Sequence, residues 1–168
     1  MIEPVPRLPD VVFATNGATV VGGKVLGARF RHMERTDKGP NYLDWFVQHG
    51  SRKVLWLAFV SEGDGDCLSV ERVLASISIR TDPHSHCEAQ EFLGLPLPSL
   101  GLANPDHYHV NTALSMLHDT EIVYFPEAFT PGGRSVARST RTPRTLRCSP
   151  QSLYRSTTTW CCRQLQSA

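Results

Sequence analysis

The 168-residue sequence has no apolar run approaching the roughly 20 residues that a membrane-spanning helix needs. A helical membrane protein is excluded on that ground, and no membrane partner is expected. Cysteine is scarce and odd in number, at five, with no Cys-x-x-Cys pair. That spacing argues against a disulfide framework, so a reducing compartment, the cytoplasm, is expected. The opening stretch MIEPVPRLPD carries an early Glu and three prolines, which does not read as a secretory signal. Acidic residues are missing from residues 128–168, which hold seven arginines and no lysine. Residues 1–127 carry 10 Lys and Arg against 16 Asp and Glu, so the net charge of +1 hides an acidic body and a basic tail. The tail also lacks interleaved aromatics, and no nucleic-acid partner is expected.

What is present describes one globular domain, with 40% hydrophobic and 20% charged residues. Short apolar segments alternate with turn residues. DVVFAT (Asp10–Thr15) and ATVVGGKVLGARF (Ala18–Phe30) read as two strands of a hairpin-like unit, with Asn16-Gly17 as the turn. NYLDWFVQHG reads as a helix with Leu43, Phe46 and Val47 on one face, ended by Gly50. KVLWLAFV (Lys53–Val60) follows as a buried strand, EGDGD as a loop, and VERVLASISI as helix or strand. DPHSHCEAQEFLG predicts a helix capped by Asp82, with Pro83 first and Gly94 after its end. HYHVNTALSML and TEIVYFP read as strands, with His118-Asp119 in the turn between them. Strand pair, helix and strand recur, which predicts an α/β fold of small repeated units. After Gly133 the period stops, and the Arg/Ser/Thr-rich residues 134–168 read as a disordered, irregular tail.

Several stretches could carry chemistry. Glu62, Asp64 and Asp66 crowd into one glycine-punctuated turn, which is either a solvated acidic loop or a carboxylate cluster that orients a histidine or a cation. His107 and His109 stand two apart and would share one face of a strand. His84 and His86, followed by Cys87, repeat the spacing. Four such residues could bind zinc, but the cysteine spacing of zinc sites is missing, and no metal or cofactor is expected. Arg29, Arg31, Arg35 and Arg80 are surface ion-pair partners or forks for a carboxylate ligand.

Taken in order, PDVVFATN, ARFRHMER, EGDGD, IRTD and HVNTAL resemble the guanidino-group-modifying superfamily, which includes dimethylarginine dimethylaminohydrolase, arginine deiminase and the arginine dihydrolases. The resemblance covers about residues 8–133. It implies a pentein-like α/β propeller of ββαβ-like units, of which this chain would hold about three of five blades. It also implies hydrolysis at a guanidinium carbon, with a cysteine thiolate as nucleophile and a histidine as proton shuttle. His109 would be the general acid/base, and Glu62 would orient it with Asp66 nearby. Asp10 and Asn16 would line the guanidinium pocket, with Asn111 beside them. Arg35 and Arg80 would hold a substrate α-carboxylate. The implied partner is a small guanidino amino acid, and unpaired strand edges of an incomplete propeller would invite self-association.

Two positions depart from the family pattern. Asn111 stands where deiminase-like members carry Asp, so guanidinium binding would weaken. Asn16 in FATN resembles the dihydrolase branch. The family nucleophile follows a Gly-Gly-Ser-rich lead-in, which neither Cys161 nor Cys162 has. They lie only 52 and 53 residues beyond His109, so the nucleophile is unassigned. Cys67 and Cys87 stand on the wrong segments. With suitable codons, Thr157–Gln166 read two bases later gives Asp-Asp-Val-Val-Leu-Pro-Ala-Ala, a family-like strand. A change of reading frame near Arg134–Arg138 is therefore expected. Two readings stay open: an impaired guanidino hydrolase, and a catalytically dead remnant that binds arginine-like ligands.

Overall fold

The computed structural model describes residues 2–12, 14–69, 73–118, 121–139, 144–147, 153–155 and 160–162. Its first strands, β1 (Ala18–Val21) and β2 (Lys24–Gly27), form an antiparallel hairpin. Helix α1 (Lys38–Gln48) leads to β3 (Lys53–Trp56), which lies parallel to β2. The pattern then repeats. Strands β4 (Cys67–Ser69) and β5 (Val73–Ile77) pair antiparallel, and α2 (Pro83–Leu93) leads to β6 (Ser99–Gly101), parallel to β5. In the third unit β7 (Leu114–His118) and β8 (Glu121–Tyr124) pair antiparallel. Helix α3 (Pro131–Ser139) then leads to β9 (Arg144–Arg147), parallel to β8. Among the described residues three ββαβ units thus follow one another, each a separate three-stranded sheet. Strands β10 (Leu153–Arg155) and β11 (Trp160–Cys162) make a further antiparallel pair.

The hairpin expected around Asn16-Gly17 is corrected. Pro9–Val12 form a 3-10 turn, and the hairpin turn is Gly22-Gly23, with φ of 54° and 74°. Two successive positive φ values suit the tight turn whose twist matches paired strands, and glycine adopts them without a Cβ clash. Helix α2 forms where its end signals predict. The Asp82 side chain accepts from the His84 N–H at 2.8 Å, and Gly94 closes the helix at φ 71°. The strand expected over HYHVNTALSML is shorter, because Val110–Thr112 form a 3-10 turn before β7. VERVLASISI resolves as strand from Val73 onward. The change of composition after Gly133 falls inside α3, so Arg134–Ser139 are helix where irregular chain was expected. A Cβ on Gly133 would stand 2.6 Å from the Gly101 carbonyl, so its lack lets α3 close onto β6, and Val136 and Ala137 join the core behind it.

Units pack front to back. Leu26 and Leu55 of the first meet Cys67, Ala75, Ala89 and Leu93 of the second. Lys24 reaches across to donate to the Phe92 and Leu93 carbonyls at the end of α2, both at 2.7 Å. Leu74 and Leu100 of the second unit meet Val110, Leu114, Ile122, Phe129 and Ala137 of the third. Burial of these apolar faces supplies the main driving force for stacking the units. The short turns leading into β1, β4 and β7 thereby converge.

A buried histidine held by two turns

His109 stands immediately before the Val110–Thr112 turn, and its ring crosses to the Gly63–Gly65 turn of the preceding unit. Its Nδ1 lies 2.6 Å from Asp66 Oδ1. An ionised carboxylate only accepts, so Nδ1 carries the proton and Nε2 is left as an acceptor. Asn16 Nδ2 donates to that Nε2 at 3.2 Å. Three units thus each contribute one member of an Asp66–His109–Asn16 chain.

Asp66 is itself held. Its Oδ2 accepts the Glu62 backbone N–H at 2.8 Å and the Thr81 hydroxyl. Fully buried, the carboxylate has its lone pairs directed by these donors and its remaining oxygen aimed at the ring. The role of orienting His109, expected of Glu62, meets two carboxylates here, Asp66 at Nδ1 and Glu62 toward Nε2. Asp66 makes the Nδ1 bond, because the 3-10 turn carries the chain back beneath the ring by residue 66, whereas Glu62 enters on the other side.

The Glu62 carboxylate is also fully buried, with Oε2 3.6 Å from His109 Nε2. Arg35 Nη1 donates to Oε2 at 3.0 Å, and Arg80 Nη1 donates at 3.1 Å. The Arg31 backbone N–H approaches Oε1 at 3.4 Å. Two guanidinium groups supply the counter-charge that a buried carboxylate requires. Their planes are set by stacking, Arg35 over Phe30 at 4.5 Å and Arg80 over Tyr108 at 5.0 Å. Arg35 and Arg80, expected to hold a ligand carboxylate, therefore hold Glu62 in this structure.

Asn111 sits in the turn that follows His109. Asp10 lies in the Pro9–Val12 turn, and its side chain is outside the described residues, as are those of Cys161 and Cys162. Cys67 follows Asp66 and is buried. Burial, with Asp66 and Asp64 beside it, pushes its thiol up to about 12, so it is protonated near neutrality. Cys87 is exposed on α2. His107 turns away from His109, its Nδ1 donating to the Thr112 carbonyl at 3.0 Å. His84 is 71% exposed against Asp82, while His86 is buried between Ser99 and Ser76, so these two also diverge. Among the described residues no three His, Cys, Asp or Glu side chains gather as a metal site.

Sequence reasoning missed Thr81, which lies in the IRTD stretch but gives no sign that its hydroxyl reaches residue 66. It also missed why the acidic turn is rich in glycine. A Cβ on Gly65 would fall 2.7 Å from Asn16 Oδ1, and one on Gly63 would fall 2.9 Å from the Asn16 carbonyl, so the turn is hollowed to admit Asn16.

Stacked ββαβ units with a buried carboxylate–histidine pair at their converging turns define a class of α/β protein whose site is assembled across repeats. No protein-family profile matches the chain. It is 44% identical over 130 residues to the dimethylarginine dimethylaminohydrolase of Mycobacterium tuberculosis, covering 77% of this chain and 43% of that protein. It is 30% identical over 133 residues to the bifunctional arginine dihydrolase/ornithine cyclodeaminase ArgZ of Synechocystis, covering 77% of this chain and 19% of that one. The solved N-terminal domain of ArgZ, bound to product, superposes with a TM-score of 0.82 at 27% identity, covering 90% of this chain and 57% of that domain. The same domain with a cysteine replaced by serine is known bound to substrate. The chain belongs to the guanidino-group-modifying superfamily. It spans less than half the length of the curated relatives it matches.

Proposed function

We propose that the chain carries the histidine half of a guanidino C–N hydrolase site acting on arginine or a methylated arginine. The observation that carries this reading is the buried Asp66–His109–Asn16 chain beside Glu62. In the reaction a cysteine thiolate adds to the guanidinium carbon, an amine leaves with a proton from a general acid, and water then cleaves the resulting thiouronium. His109 Nε2 is the atom suited to hold and pass that proton, with Asp66 stabilising the imidazolium. Asn16 suits both states of the ring. Its Oδ1 is buried without a partner in the structure, so a turn of the amide would let it accept from a protonated Nε2.

The resemblance assigns Asn16, Asn111, Asp10 and Glu62 to the guanidinium side of such a site, and Arg35 and Arg80 to the carboxylate side. Binding is an exchange of partners. The ligand guanidinium takes Glu62, and the ligand carboxylate takes the two arginines that Glu62 releases. Arginine is therefore expected to bind, while its decarboxylated analogue, which leaves Arg35 and Arg80 unpaired, is expected to bind at least tenfold more weakly. Calorimetric titration of both ligands, with equal affinities as the refuting result, tests this. Where turnover to ammonia, citrulline or ornithine is measurable, His109→Ala should lower it by about 100- to 10,000-fold.

A second reading, a binding protein without turnover, is favoured by the state of Cys67, a buried thiol and no nucleophile. Arginine binding without any ammonia release would select it. The three units are taken as three blades of a five-bladed propeller, and the exposed back of the first unit as a surface for self-association.

A further inference from the structure

Helix α1 opens on Lys38, whose side chain is fully buried, a rare state for lysine unless it is paired. Its Nζ donates to the Thr15 carbonyl at 3.0 Å. The amine also lies 5.4 Å from the ring centre of Phe30 and 5.8 Å from that of Tyr42. The Thr15 carbonyl belongs to the peptide that leads into Asn16, so this bond sets the plane from which the Asn16 side chain departs. Asn16 needs such a hold. Its φ is 70°, in the left-handed region, which asparagine adopts more easily than other non-glycine residues but which its surroundings must still favour over negative φ. From the front, the Gly63 and Gly65 backbone closes on Asn16. From behind, the Lys38 amine holds the preceding peptide.

We propose that Lys38 is a positioning residue for Asn16, and through Asn16 for the Nε2 side of His109. The proposal rests on reading Asn16 and His109 as working parts of the site. A hydrogen bond to a backbone carbonyl, made by an amine shielded from water, is stiffer than one open to solvent. That stiffness keeps the Asn16 amide within reach of the ring. In its absence the Thr15–Asn16 peptide can rotate toward negative φ, which carries the amide away from His109 while α1 and the hairpin stay folded.

The test uses nuclear magnetic resonance on the full chain, isotopically labelled, without ligand. In the unsubstituted protein, a through-hydrogen-bond coupling between Lys38 Nζ and the Thr15 carbonyl carbon is expected, and its absence overturns the proposal. Lys38→Met keeps the length and apolar contact of the stem over Phe30 and Tyr42 but removes the donor. It is expected to shift the His109 Nε2 resonance downfield, toward a nitrogen that accepts no bond, and to abolish the protection of the Asn16 side-chain amide protons. Lys38→Arg, which restores a cationic donor, should return both signals part of the way. A folded Lys38→Met protein with unmoved His109 and Asn16 signals refutes the proposal. Asn16→Leu is the control for the site itself. If it also leaves the His109 ring unmoved, the Asn16–His109 contact is wrong, and both the site reading and the role of Lys38 fall with it. If Lys38→Met does not fold, the coupling in the unsubstituted protein decides.

Discussion

Asp66 holds the Nδ1 side of the His109 ring. It accepts from His109, from the Glu62 backbone and from Thr81, and it has no exposure to water through which to replace a lost partner. Asp66→Asn turns one of its acceptor oxygens into a donor that faces existing donors. It is expected to destabilise the protein by about 1–3 kcal/mol, because buried groups are left unsatisfied. Urea denaturation of the two proteins measures the difference, and an unchanged midpoint would show that Asp66 is not so placed. Cys67, next along the chain, is expected to be inert. With its thiol pushed up to about 12 and its side chain buried, it should resist iodoacetamide in the native protein while Cys87 reacts. Peptide-resolved mass spectrometry distinguishes the two, and Cys67 should label only after unfolding. Neither behaviour is legible in the string EGDGDC. Sequence reasoning could see carboxylates beside a cysteine, but which carboxylate meets a histidine 43 residues away depends on how two turns face each other.

The secondary elements divide by how local their determinants are. Helix α2 was legible to within a residue, because an Asp-Pro start and a glycine end act through atoms only a few residues apart. The first hairpin was misread, since Asn16-Gly17 and Gly22-Gly23 both satisfy the local rule for a turn. Choosing between them needed the second strand. Helix α2 also carries His86, whose Nδ1 accepts from the Ser99 hydroxyl at 2.6 Å and whose Nε2 donates to the Ser76 carbonyl at 3.1 Å. The ring thereby ties the helix to β5 and β6. Burial holds its pKa below the ordinary value of 6.5. The folded state therefore binds fewer protons than the unfolded one as pH falls through that value. His86 contributes no pH dependence well above 6.5, and stability declines progressively below it. Denaturation midpoints followed across this range should show that slope, and His86→Gln should flatten it. An equal slope in the variant would assign the effect to another group.

At the scale of the whole molecule, each unit offers an apolar front to the helix-bearing back of the next. The back of the first unit has no preceding unit among the described residues. There a cleft of about 310 Å³ is lined by Ala18, Val20, Tyr42, Trp45, Phe46 and Asp64, with Val20 48% exposed. The proposed self-association belongs to this face, where the stacking rule of the fold leaves a surface of the kind that the other units bury. Val20→Lys adds a charge at an exposed position and is expected to lower association without lowering the melting temperature. Sedimentation velocity over a range of concentrations tests this. A monomer at every concentration before substitution would dismiss the idea.

The repeat of strand pair, helix and strand could be read from the sequence, because hydrophobic period and turn residues act over short spans. So could the five ordered motifs, and with them the superfamily. Tertiary structure alone decided the rest. It placed Asp66 on Nδ1 of the ring and Glu62 toward Nε2, set Arg35 and Arg80 against Glu62, and put a buried lysine behind Asn16. The contacts of His109 with Asp66 and Glu62, and of Arg35 with Glu62, join residues from different units. Those of Arg80 with Glu62 and of Lys38 with Thr15 join parts of one unit that lie far apart in sequence. Their geometry exists only once the chain has folded and the units have stacked. Local propensities constrain backbone angles, but a side chain meets its partner through the sum of many such angles, and packing of the apolar faces fixes that sum.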